Sequence, residues 1–240
     1  MITRASGPIS VGAETKETLM RSMLKLAAAT AMICATAFAA QAHPHVWVST
    51  KTEVVYDKQG RVTGFKHRWT FDEVFSTYAA QGMDKNGDGK FDRAELAELA
   101  KVNITSLSEF DFFTFPKVGE KDVPLNPPKE GYYLSHEGGQ LTLHFTLPLK
   151  TPLDARKNDF RFAIYDPTYF VAFSHAEKAP VTLARGAPRG CAASIEKPKP
   201  LSAQETQLSD LSEAFFNELG AGSDFGAQFA PDVLISCKTS

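Results

Sequence analysis

VWVSTKTEVVY (residues 46 to 56) and RVTGFKHRWTF (residues 61 to 71) are two runs rich in β-branched and aromatic residues, separated by the turn-forming Asp57-Lys58-Gln59-Gly60. Such runs fit a pleated, half-buried surface, and the turn between them predicts a hairpin. Side chains alternate along a strand, so Phe65, His67, Trp69 and Phe71 share one side of the second run and Lys66, Arg68 and Thr70 the other. His67 therefore points with the apolar side, where it is either a hydrogen-bonded core histidine or a site ligand.

Upstream of the hairpin, Leu26 to Ala40 is an unbroken apolar or small-residue run, preceded by Arg21 and Lys25 and closed by Ala40-Gln41-Ala42. That order is the grammar of a secretion signal. A bilayer-spanning helix needs roughly 20 residues, so the run is short for a membrane anchor. The bulky Ile33 before Cys34 argues against a lipoprotein cleavage site. Residues 1 to 19 are polar and precede Met20 and Met23, either of which would open a more ordinary signal peptide. Residues 1 to 42 are accordingly expected to be a leader, with a single periplasmic domain over 43 to 240 that does not itself span the membrane.

Of the 26 Lys and Arg, four (Arg4, Lys16, Arg21, Lys25) precede residue 43; of the 28 Asp and Glu, two (Glu14, Glu17) do, leaving 22 basic against 26 acidic groups and a net charge of −4. That mild acidity gives no electrostatic case for nucleic acid. Cys191 and Cys237 are an even pair in a chain destined for an oxidising space, and a disulfide between them is expected.

After the hairpin the hydrophobic period changes. Phe71, Val74, Phe75, Tyr78 and Ala79 fall at helical spacing, which predicts a helix ending near Gly82; a second is predicted over about Arg93 to Leu107. Short strands follow at about 110 to 118, 131 to 136, 140 to 149, 159 to 165 and 169 to 174, with weaker ones at 181 to 185 and 191 to 195. His144 lies on the polar side of its strand. A helix over 203 to 219 and a strand over 232 to 237 complete the pattern. The expected class is α+β: an antiparallel β-sandwich-like core with an EF-hand-like helix-loop-helix insertion at 71 to 107 and a C-terminal helix.

Between the two predicted helices, Asp84 to Glu95 matches the twelve-residue calcium loop. Asp84, Asn86, Asp88, Asp92 and Glu95 supply oxygen side chains at positions 1, 3, 5, 9 and 12, Gly89 takes the sharp turn at position 6, and Lys90 offers its carbonyl at position 7. A single such loop predicts a structural calcium site, with a dissociation constant on the order of 10⁻⁵ to 10⁻³ M.

Cleavage after Ala42 would make His43 the N-terminus, two residues from His45 and on the same side of an extended chain. Imidazole and amine nitrogens suit zinc, copper or nickel rather than calcium. Pro44 has no amide proton, which disfavours a square-planar amide chelate. Further ligands would come from His67, His136, His144, His175, Asp72 or Asp166.

His43-Pro44-His45, Trp69-x-Phe71-Asp72-Glu73-x-Phe75-Ser76, the acidic loop, Phe145-x-Leu147-Pro148-Leu149 and Tyr165-Asp166-Pro167-Thr168-Tyr169-Phe170 together resemble a bacterial periplasmic family, domain of unknown function 1007. The resemblance spans most of residues 43 to 175. It implies an accessory of transition-metal transport, working beside a nickel/cobalt-type inner-membrane permease, with zinc as cargo. The expected function is thus a periplasmic metal-binding protein rather than an enzyme, since no nucleophile elbow, phosphate loop or HExxH pattern is present. Two rivals remain: a copper enzyme bracing the ion with the N-terminal amine, the His43 ring and a distant histidine such as His144 or His175, and a calcium-dependent interaction module with no transition metal.

Overall fold

A computed structural model describes residues 44–156, 159–198 and 224–237. The predicted hairpin is present as β1 (Val46–Tyr56) and β2 (Val62–Phe71), paired antiparallel from Val48 opposite Phe71 to Tyr56 opposite Val62. Every second residue of β1, from Val46 to Tyr56, is buried. Gly64 sits where β2 crosses the next strand so closely that a Cβ would lie 2.5 Å from the Leu147 carbonyl oxygen.

The remaining strands are β3 (Thr114–Val118), β4 (Lys121–Asp122), β5 (Tyr133–Glu137), β6 (Gln140–Leu153), β7 (Phe160–Ile164), β8 (Val171–His175), β9 (Val181–Leu183), β10 (Cys191–Glu196) and β11 (Asp232–Cys237). One sheet runs β5-β6-β2-β1-β8, with β9 also on β1; the other runs β10-β11-β7-β3-β4. Aromatic rings join the two inner faces. Phe65 of the first sheet meets Phe162 at 4.6 Å and Phe160 at 6.2 Å from the second, and within the first sheet Trp69 sets its edge on Phe145 at 5.0 Å. Rings of this size bury enough apolar surface to dominate a core.

This architecture corrects the α+β expectation. The described residues are mostly strand, and their α-helices are two: α1 (Glu73–Ala79) and α2 (Ala97–Leu107). The EF-hand-like insertion over 71 to 107 does not form. Phe71, the first residue of the expected helical stripe, is instead the inward-facing end of β2. Asp72 caps α1, whose Val74 and Tyr78 are 83% and 74% exposed while Phe75 and Ala79 pack on the core, so only part of the expected apolar stripe is buried. α1 stops five residues before Asp84, and α2 begins only after Glu95, with turn at 93–96. Leu96, Ala100 and Ile104 tuck α2 into the core.

The C-terminal helix expected over 203 to 219 lies outside the described residues. Nor is the sandwich purely antiparallel, because β8 and β9 both pair with β1 in parallel. The strand expected at 110 to 118 starts only at Thr114. Before it, Asp111, Phe112 and Phe113 take left-handed φ values of 50°, 52° and 46°. Adjacent strand residues face opposite sides, whereas this turn buries both Phe112 and Phe113. Left-handed backbone costs about 1–2 kcal/mol per residue, which burial of two phenylalanines at about 1.5–3 kcal/mol each offsets.

Cys191 and Cys237 are bonded, directly opposite each other in the β10 and β11 pairing. No helix among the described residues is long and apolar enough to cross a membrane.

Candidate functional site

Two motif loops converge on the start of β1. From one side comes Tyr165-Asp166-Pro167-Thr168-Tyr169-Phe170. The Asp166 carboxylate is 4% exposed: Oδ1 accepts from the Thr168 amide and hydroxyl, each at 2.9 Å, and Oδ2 from the Val171 amide at 2.9 Å. Three donors on one buried carboxylate fix the loop, including Tyr169 at φ 59°. The Phe170 carbonyl then receives the His45 amide at 2.9 Å, and the two rings stand 4.7 Å apart.

From the other side, Asp72 at the end of β2 holds Trp47. Its Oδ2 accepts from the Trp47 amide at 3.0 Å, its own amide donates to the Trp47 carbonyl at 2.9 Å, and its Oδ1 caps α1 through the Phe75 amide at 2.8 Å. His45 is thereby held at the surface, and it is the one described histidine that is classed as exposed. A third layer supports the clamp. The short turn Phe225–Phe229 docks on the loop, Gly226 donating to the Pro167 carbonyl at 2.9 Å and Phe229 stacking on Tyr169 at 4.4 Å. Gly226 has to be glycine, since a Cβ there would overlap the Asp166 carbonyl.

His43 lies outside the described residues. The expected helper ligands are elsewhere or engaged. His67 is fully buried, with Nδ1 3.0 Å from the Thr52 hydroxyl, and burial pushes its pKa down to about 3; it is a core histidine. His175 lies level with Thr50, whose hydroxyl is 3.2 Å from its Nδ1, and this places it about 16 Å along the strand from His45 at 3.3 Å per residue. His144 pairs across to Arg68, which is opposite Lys51, about 20 Å along by the same rise. Its Nε2 is 2.9 Å from the Ser135 hydroxyl, and burial followed by the charges of Arg68 and Arg93 holds its pKa below the usual histidine value. Both lie well along the sheet from His45. His136 packs its ring on Phe91 at 4.8 Å.

The Asp84 to Glu95 loop is a tightly wound turn held by its own backbone. Asp84 Oδ1 accepts from the Gly87 and Asp88 amides and Oδ2 from Gly89, while Asn86 and Asp88 accept from the amides two residues on. Asp92 accepts from Ala94 and Glu95. Glu95, 9% exposed, reaches back to the Lys85 and Asn86 amides at 2.9 and 3.3 Å and to Asp92 at 3.0 Å, tying the two ends together. These hard oxygens suit calcium chemically. Among the described residues, however, no group of three or more His, Cys, Asp or Glu side chains is gathered as a metal shell. Phe91 on His136, and Arg93 stacked 3.7 Å over Tyr133, dock the loop on β5.

From the sequence Asp166 was a possible further metal ligand and part of a motif, and the bonds its buried carboxylate makes within the loop were missed. The Asp-x-Thr spacing, which lets an aspartate accept from the residue two ahead, was the available signal.

These features define a two-sheet β protein with one polar end built around the first strand and a separate acidic turn on its edge. The chain belongs to the family described as "Protein of unknown function (DUF1007)", whose profile matches residues 28–237. It is 27% identical over 201 residues, 84% of this chain and 94% of the relative, to an "Uncharacterized protein" of Haemophilus influenzae. It is also 35% identical over 100 residues, 42% of this chain and 70% of the relative, to the "Uncharacterized 15.5 kDa protein in trpE 3'region" of Spirochaeta aurantia.

Proposed function

We propose that this chain is an exported, periplasmic metal-binding protein, not an enzyme, that serves a nickel/cobalt-type inner-membrane permease. Zinc is its transition metal, met by His45 together with His43. Calcium is its second ion, met by Asp84, Asn86, Asp88, Asp92, Glu95 and the Lys90 carbonyl. The observation that carries the proposal is the double clamp on β1: two distant loops, anchored by Asp166 and Asp72, are devoted to presenting one exposed imidazole. Borderline-soft nitrogen at one end and hard oxygen at the other separate the two ions by ligand chemistry.

Zinc calorimetry on the chain beginning at His43 tests this. Zinc affinity is expected to fall at least tenfold in the His43→Ala, His45→Ala double variant. Equal affinity in the two proteins would refute the assignment.

A further inference from the structure

The outer face of the first sheet is lined, among the described residues, by half-buried and exposed side chains. Strand register places Tyr133, His144, Arg68 and Lys51 in one row across four strands, with Ser135, Thr142, Thr70 and Ser49 beside it. Thr146, Lys66 and Glu53 form the row on the other flank. Lys66 and Arg68 are exposed and Lys51 half-buried, and none of the three makes an ion pair among the described residues. Arg93 adds a fourth cation above Tyr133. The acidic residues in these rows and strands are Glu53 and Glu137, while the acidic turn that carries Arg93 borders the β5 edge and Asp72 stands at the β1 end. A cationic face on a chain whose region from residue 43 carries −4 is a marked asymmetry.

At the β1 end of the same face Trp47 is 54% exposed, its amide bonded to Asp72. Cations on a sheet face with a tryptophan at the margin match what an anionic membrane surface selects. Lys and Arg near it gain about 1 kcal/mol each, and Trp and Tyr settle at headgroup level.

We infer that this face docks on an anionic phospholipid surface through Lys51, Lys66 and Arg68, with Trp47 entering the headgroup layer. Vesicle co-sedimentation of the chain as matured in the cell tests it, comparing pure phosphatidylcholine with a mixture containing phosphatidylglycerol. Strong preference for the anionic vesicles is expected, weakened by salt. The triple variant K51E/K66E/R68E is expected to lose roughly hundredfold in partitioning, and Trp47→Ala several-fold. The control K117E/K121E, on the other sheet, is expected to bind as the parent does. All are checked for an unchanged melting temperature.

Equal binding to both vesicle types would overturn the inference, as would equal loss in the control. So would unchanged vesicle binding in the triple variant, or indifference to vesicles with retention on a polyglutamate column, which would assign the face to an acidic protein. Zinc affinity is read in parallel, so that loss of docking with zinc binding intact separates this inference from the metal proposal.

Discussion

The start of β1 and the Asp84 to Glu95 turn are both short polar segments, but they are held in opposite ways. His45 and Trp47 are fixed by residues 125 and 25 positions away, through Phe170 and Asp72. The acidic turn is fixed almost wholly by bonds spanning two to ten residues within itself. A locally held segment survives damage elsewhere, whereas a remotely held one depends on the integrity of the whole fold.

Breaking the remote side at its furthest support gives the largest expected effect. The Cys191–Cys237 bond closes a 46-residue separation behind the turn that props the Asp166 loop. Cys191→Ser with Cys237→Ser is expected to cost about 4 kcal/mol in urea denaturation. Zinc affinity at His45 is expected to weaken as well, with calcium binding untouched. If calcium binding fell in parallel, the two regions would not be independent.

Next comes Asp166→Ala, which strands three part-buried donors and is expected to cost about 3 kcal/mol. Asp84→Ala removes as many bonds from the acidic turn, yet its amides can turn to water, and under about 1 kcal/mol is expected without calcium. Similar losses in the two variants would erase the distinction.

Acid probes the middle of β1 through His67. Its folded pKa of about 3 lies below the unfolded value near 6.5, so the unfolded chain binds the extra proton between them. Stability is full above about pH 6.5 and is lost as pH falls. About 1.4 kcal/mol less is expected at pH 5.5 than at pH 7.5. His67→Gln is expected to flatten that slope. A slope unchanged in His67→Gln would assign the acid sensitivity to other groups.

Calcium is expected to act on the same small scale. For a dissociation constant of about 10⁻⁴ M, 1 mM calcium stabilises by about 1.4 kcal/mol, a shift of a few degrees in melting temperature. Glu95→Ala is expected to abolish it, and no shift in the parent would remove calcium from the proposal.

The same contrast explains what could be read from the sequence. The hairpin was legible because alternation from Val46 to Tyr56 is a nearest-neighbour property. The cysteine pair was legible because only two cysteines lie beyond residue 42. The acidic turn was legible as a turn, since its ligand spacing also supplies the Asx bonds that wind it. Its flanking helices were misjudged: Phe71 and Val74 fit a helical stripe by spacing, but β2 claims Phe71 for the sandwich core. Parallel pairing of β8 and β9 with β1 depends on contacts more than a hundred residues apart, which no local pattern encodes. For the candidate site, His45 was visible by type, while Phe170 and Asp166 were seen only as parts of a motif whose physical task appears once the chain is folded.

β1 also carries β8 and β9 end to end along one edge, joined through residues 176 to 180, where Glu177, Lys178 and Ala179 are exposed and Ala179 has φ 49°. Scission at that junction would leave two polypeptides zipped to the same rail, with both cysteines in the shorter one. The protein is thus built as a ready-made split pair, and co-expressed fragments 1–178 and 179–240 are expected to reassemble by complementation.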